Sequence, residues 1–204
     1  MTDSIVFQQD VVGPATHAIV IGVGTYPHLL GGDSTPYSKH EGLGQLSSPP
    51  VSARRVAEWL STHRDALDRP LASLRVLISP AGDPFEGEAV QIPTFKHASA
   101  AIKAWKAAGD TSEEHCVLFY YCGHGLGNGT EVALLMSDFG SDPDNAFDQA
   151  LDFGGFRVGM AGCAARRQLF SSSTPVERST LSRSTPIAPS GVPSSDRTSW
   201  LWSG

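Results

Sequence analysis

Apolar positions fall into two rhythms along the chain. Ala18-Ile19-Val20-Ile21-Gly22-Val23-Gly24 is a continuous, β-branched run ending in glycines, the signature of a central parallel strand buried on both faces. Arg75-Val76-Leu77-Ile78-Ser79, stopped by Pro80, and Cys116-Val117-Leu118-Phe119-Tyr120-Tyr121 predict a second and a third strand, and Val132 to Met136 a fourth. Between them the rhythm changes to the i, i+3, i+4, i+7 spacing of a one-sided helix. Ala53, Val56, Ala57 and Leu60 follow Pro49 and Pro50, which suit a first helical turn. Phe95, Ala98, Ile102 and Trp105 follow Thr94, a capping residue, and Gly109 is placed to end the helix. A third helical stripe runs through Phe153, Phe156, Met160 and Cys163, and Gln168-Leu169-Phe170 starts another strand.

Strands alternating with helices predict an α/β fold: a three-layer α-β-α sandwich on a mainly parallel sheet. Two stretches fall outside this pattern. Residues 1–16 read as a flexible N-terminal segment. From Ser171 to Gly204, 15 of 34 residues are Ser or Thr, with four prolines and little apolar periodicity, so this tail is expected to be disordered. The folded unit is therefore expected over 17–170 and to be incomplete at its C-terminal side.

Composition narrows the function classes. At 204 residues and 40% apolar content the chain suits one domain with a real core. A net charge of -6 without any basic stripe gives no footprint for nucleic acid. No run of 18 apolar residues occurs, and the first ten residues lack a leader pattern, so no membrane partner is expected. Three cysteines, Cys116, Cys122 and Cys163, without CxxC spacing fit thiols in a reducing, cytoplasmic setting. His17, His28, His40, His63, His97 and His115 show no ligand spacing, and no metal or cofactor is expected.

Chemistry concentrates after the third strand, where Cys122-Gly123-His124-Gly125 would lie at the carboxyl end of a parallel sheet, the usual place for ligands in open α/β folds. Two glycines let backbone approach a substrate, and His moves protons near neutral pH. The strand Leu118-Phe119-Tyr120-Tyr121 followed by Gly123-His124-Gly125 resembles the histidine motif of the caspase and metacaspase superfamily, and Ile19-Val20-Ile21-Gly22-Val23 with Tyr26 is similar to that family's first strand and turn. The resemblance covers roughly residues 17 to 170. It implies a caspase-like endopeptidase using a Cys/His dyad on a protein or peptide substrate, with His124 as the proton carrier and the Gly125 amide as an oxyanion donor.

The resemblance also implies a nucleophilic cysteine after the next core strand, commonly within Asp-Ala-Cys. Here that strand runs from Gln168-Leu169-Phe170 into Ser171-Ser172-Ser173-Thr174-Pro175, and no cysteine follows Cys163. Cys163 should lie at the opposite end of the sheet, roughly 15 Å from His124. Cys122, two residues before His124, is the candidate substitute. The abrupt switch in composition is what an out-of-frame reading near Phe170 would produce; a downstream frame encoding an apolar strand and Asp-Ala-Cys would bear that out. Three functions follow: a caspase-like peptidase, an inactive pseudopeptidase that binds peptides or proteins, and a nucleotide-binding domain resting on Gly22 and Gly24, whose third glycine is replaced by Pro27. Gly22 and Tyr26 are substrate-cleft candidates, and Asp138, after the fourth apolar run, is read as shaping its turn, with ligand contact as the alternative.

Overall fold

The computed structural model describes residues 4–128 and 131–177. Those residues form a mixed, open α/β sheet of seven strands with three α-helices. In chain order they are β1 (Ile5–Gln8), β2 (Thr16–Val23), α1 (Ser48–Thr62), β3 (Leu71–Ser79), α2 (Phe95–Gly109), β4 (Cys116–Asn128), β5 (Glu131–Leu135), β6 (Ala150–Asp152), α3 (Phe153–Met160) and β7 (Arg166–Glu177). Strand order is β1-β3-β2-β4-β5-β6, and β7 pairs with β4.

The centre of the sheet, β3-β2-β4-β7, is parallel, whereas the β1/β3, β4/β5 and β5/β6 pairs are antiparallel. The α/β class expected from the sequence is found, on a sheet that is mixed. The antiparallel pairs involve β1 and β6, which carry too few residues to show a period, and β5, which pairs with β4, the strand before it.

Alternation along β2 divides the core. Ala18 and Val20 pack with Ala53, Ala57 and Leu60 of α1, while Ile19, Ile21 and Val23 pack with Ala98, Ala101 and Trp105 of α2 and Met160 of α3. Helices therefore cover both faces. Trp105 is fully buried, and its indole N–H donates to the His17 carbonyl at 2.9 Å, which removes the polar cost of burying it. Thr94 caps α2 as its sequence position predicts, accepting the His97 N–H at 3.3 Å.

Several boundaries differ from the periodicity. Residues 1–16, expected to be flexible, include β1, which extends the sheet beside β3. β4 does not stop at Tyr121 but runs to Asn128, carrying His124 inside the strand rather than in a loop after it. α3 ends at Met160, so Cys163 lies in the following turn. Gly109 is still helical; it is small because a Cβ there would sit 2.1 Å from Val117 Cγ1. β7 carries the start of the Ser/Thr-rich stretch as strand to Glu177, and the remainder of the tail expected to be disordered, 178–204, lies outside the described residues. Among the described residues no helix is long and apolar enough to cross a membrane.

Candidate functional site

β4 outruns its neighbour. The β2/β4 ladder ends at Gly22 opposite Cys122, so His124 emerges just beyond the carboxyl end of β2, under the loop that joins β2 to α1. That loop folds back over the histidine. Leu30 N–H donates to Leu43 O at 3.1 Å, Leu46 N–H donates to Gly24 O at 2.8 Å, and between these anchors the Gly44 carbonyl accepts from His124 Nε2 at 2.7 Å.

His124 is 6% exposed. Because a carbonyl can only accept, Nε2 carries the hydrogen in the neutral ring and Nδ1 holds a lone pair. Nδ1 is buried and has no hydrogen-bond partner among the described residues. Leaving a buried polar atom unpaired costs roughly 1–3 kcal/mol, so such an atom calls for an explanation. Burial lowers the pKa of His124, and the Gly44 bond opposes that shift without cancelling it. The imidazole is thus held as a neutral base.

Two tyrosines fix the backbone around it. Tyr26 Oη accepts the His124 N–H at 2.8 Å, and its ring packs on the imidazole with centroids 4.9 Å apart. Tyr121 Oη lies 2.8 Å from His124 O and 2.7 Å from Leu135 O, either of which it can donate to. Gly123 sits between the two phenols: a Cβ would fall 2.6 Å from Tyr121 Oη and 2.8 Å from Tyr26 Oη. The glycine before the histidine is therefore dictated by the hydroxyl pair. Burial pushes the Tyr26 and Tyr121 phenols far above their ordinary range, so both stay protonated.

The other candidates divide. Gly125 is a ladder residue on both sides, opposite Leu134 of β5 and Pro175 of β7. Cys122 lies two residues from His124 on the same strand, hence on the same face, with Tyr120 hydrogen-bonded to it; burial and that thiol raise the Tyr120 phenol to about 12. Cys163 lies at the other end of the sheet, three residues before Arg166, which pairs with Cys116. From 116 to 124 is eight residues of β4, about 26 Å of strand, and Cys163 instead contacts the Asp110 carboxylate. Burial, the first cause, and the Asp110 carboxylate raise its pKa, so this thiol is held protonated at the end of the sheet away from His124.

Asp138 serves α2. Its carboxylate accepts the Phe95 N–H at 2.8 Å at the start of that helix, and burial raises its pKa despite that bond. Gly22 is a packing residue, since a Cβ would lie 2.4 Å from Ala53 Cβ and 2.9 Å from Pro49 O. The turn after it offers no phosphate cradle: Gly24 N–H donates to Ser79 O, Thr25 N–H to Ser79 Oγ and Tyr26 N–H to Gln45 Oε1. With those amides committed, the nucleotide reading loses the feature it rested on. Among the described residues no group of three His, Cys, Asp or Glu side chains is arranged to hold a metal ion.

Sequence reasoning missed Gly44 and Gln45, which carry no chemical signature and lie 80 and 79 residues before His124. It also gave no means to find the residue facing the histidine across the sheet. The β7 register supplies it: Thr174 lies opposite His124 and Pro175 opposite Gly125.

No protein-family model matches the chain. It is 33% identical over 107 residues to "Uncharacterized protein y4kE" of Sinorhizobium fredii, an alignment that takes in 43% of this chain and 30% of that relative. The chain thus spans under a third of the curated relative it matches, a protein whose name assigns it no activity.

Proposed function

We propose that the chain is the histidine-bearing part of a caspase-type cysteine peptidase domain, built on a caspase-like sandwich around the parallel strands β3-β2-β4-β7, that binds peptide but lacks the thiol needed to cleave it. The observation that carries the reading is His124: buried, anchored through Nε2, and with an Nδ1 that has no partner among the described residues, at the carboxyl edge of a parallel sheet. A nitrogen so held suits one task in cysteine-type acyl transfer. It takes the proton of a thiol as the sulfur attacks a peptide carbonyl, gives that proton to the departing amine, and then deprotonates the water that hydrolyses the thioester.

The partner sulfur is the missing component. In the family this chain resembles the nucleophile follows the next core strand, and here β7 carries Ser173, Thr174 and Pro175 opposite Gly123, His124 and Gly125. Cys122, the remaining thiol near His124, points along the same strand face and not across from it. Three thiols without a metal or disulfide pattern suit a reducing, cytoplasmic setting.

Fluorogenic peptides with Arg, Lys or Asp at the cleaved position separate the readings when run on the native chain, His124→Ala and Cys122→Ala. The inactive reading expects no turnover by the native chain and saturable binding of at least one peptide, weakened by His124→Ala. Turnover by the native chain that is lost in both variants would establish an active enzyme using Cys122. Neither turnover nor binding across the panel would end the peptidase reading.

A further inference from the structure

The anchor of His124 is a main-chain carbonyl on a residue with no side chain of its own, in the middle of a long loop, and something must hold that peptide plane. Leu43 and Leu46 are tied at either end of the segment, through Leu30 N–H and Gly24 O. Between them the side chain of Gln45 makes three hydrogen bonds. Its Oε1 accepts the Tyr26 N–H at 2.8 Å, and its Nε2 donates to Tyr26 O at 2.9 Å and to Leu30 O at 3.1 Å. The amide orientation is fixed by these partners, because an N–H faces the oxygen and two carbonyls face the nitrogen.

A closed circuit results. Tyr26 holds the His124 main chain through Oη, Gln45 holds the Tyr26 main chain through both of its polar groups, and the peptide that joins Gly44 to Gln45 holds the His124 ring through the Gly44 carbonyl. We propose that Gln45 is a positioning residue for His124: by clasping Tyr26 it sets the Gly44 carbonyl and so keeps the histidine hydrogen on Nε2 and Nδ1 unprotonated. The assignment deepens the peptidase reading and rests on it for its purpose, since an unprotonated Nδ1 is what a thiol would need. Its geometry does not depend on that reading.

Gln45 is well suited to test because it is exposed, so its removal opens no hole in the core. The measurement is the imidazole nitrogen spectrum of His124 in the full-length, 15N-labelled chain, compared with Gln45→Ala and with Gln45→Met, which keeps length without the hydrogen bonds. The native chain is expected to show the single Nε2–H form, and both variants a mixture in which Nδ1–H appears. The His17 ring and Trp105 indole signals, at the far end of the sheet, should stay in place. An unchanged His124 spectrum in both variants overturns the proposal, as does a change that moves His17 and Trp105 equally, because that reports general loosening. The readout needs no substrate. Absence of peptide binding would remove the peptidase reading and leave a positive tautomer result standing.

Discussion

At Gly123 and Tyr26 the chemistry of single side chains decides the geometry. Gly123→Ala would drive a methyl into two phenolic oxygens that are already bonded, and overpacking of this kind costs about 1–3 kcal/mol. Tyr26→Phe would leave the buried His124 N–H without its acceptor at a cost of roughly 1–3 kcal/mol. Chemical denaturation of the two variants measures both losses, and NMR titration should show His124 altered in each. The sequence made the glycines and the histidine legible because their types are informative in themselves. It could mark Tyr26 only as a cleft wall. The hydroxyl's use lies 98 residues away, and no local pattern encodes a bond over that separation. Gln45 was silent for the same reason.

Elements were read best where one rhythm ran unbroken. The α1 and α2 stripes and the β2 run are found where periodicity put them, since burial of one helix face or of both strand faces is what creates those patterns. The apolar run of β4 ends at Tyr121, where glycine and histidine interrupt it, yet the backbone stays extended with strands on both sides. Gly22 tests what such glycines are for. Gly22→Ala must push α1 away from β2, so unfolding should come about 1–3 kcal/mol earlier. A nucleotide site there would instead predict lost ligand binding with stability retained.

The amino end of the sheet carries a pH prediction. His17 bonds Ser73 Oγ at 2.8 Å and faces His115 and Arg75, and burial first, then those two groups, lower its pKa to about 4. The unfolded chain binds that proton near 6.5, so between 6.5 and 4 it holds more protons than the folded one. Stability from this group is complete above 6.5 and is lost as the pH falls toward 4, by about 1–2 kcal/mol once solvent screening of a half-buried ring is allowed for. His124 acts in the same direction, and Asp138, whose pKa is raised, opposes it. Urea midpoints at pH 7.5, 5.5 and 4.5 should therefore decline for the native chain and decline less for His17→Gln. An equal decline in both would assign the effect elsewhere.

For the whole molecule the deciding relation is the pairing of β7 with β4. Alternation of strands and helices in the sequence was enough to predict an α/β fold, but register is set by pairing between distant segments, and the Ser-rich start of the tail hid the continuation of β7. That register places Thr174 and Pro175 beside His124 and Gly125, where the account puts the missing thiol. Turnover of the fluorogenic peptide panel by Thr174→Cys and Pro175→Cys, each with and without His124→Ala, tests this most directly. The native chain should be silent, at least one cysteine variant should gain turnover, and His124→Ala should abolish the gain. Turnover by the native chain, or a gain that survives the loss of His124, would contradict this reading.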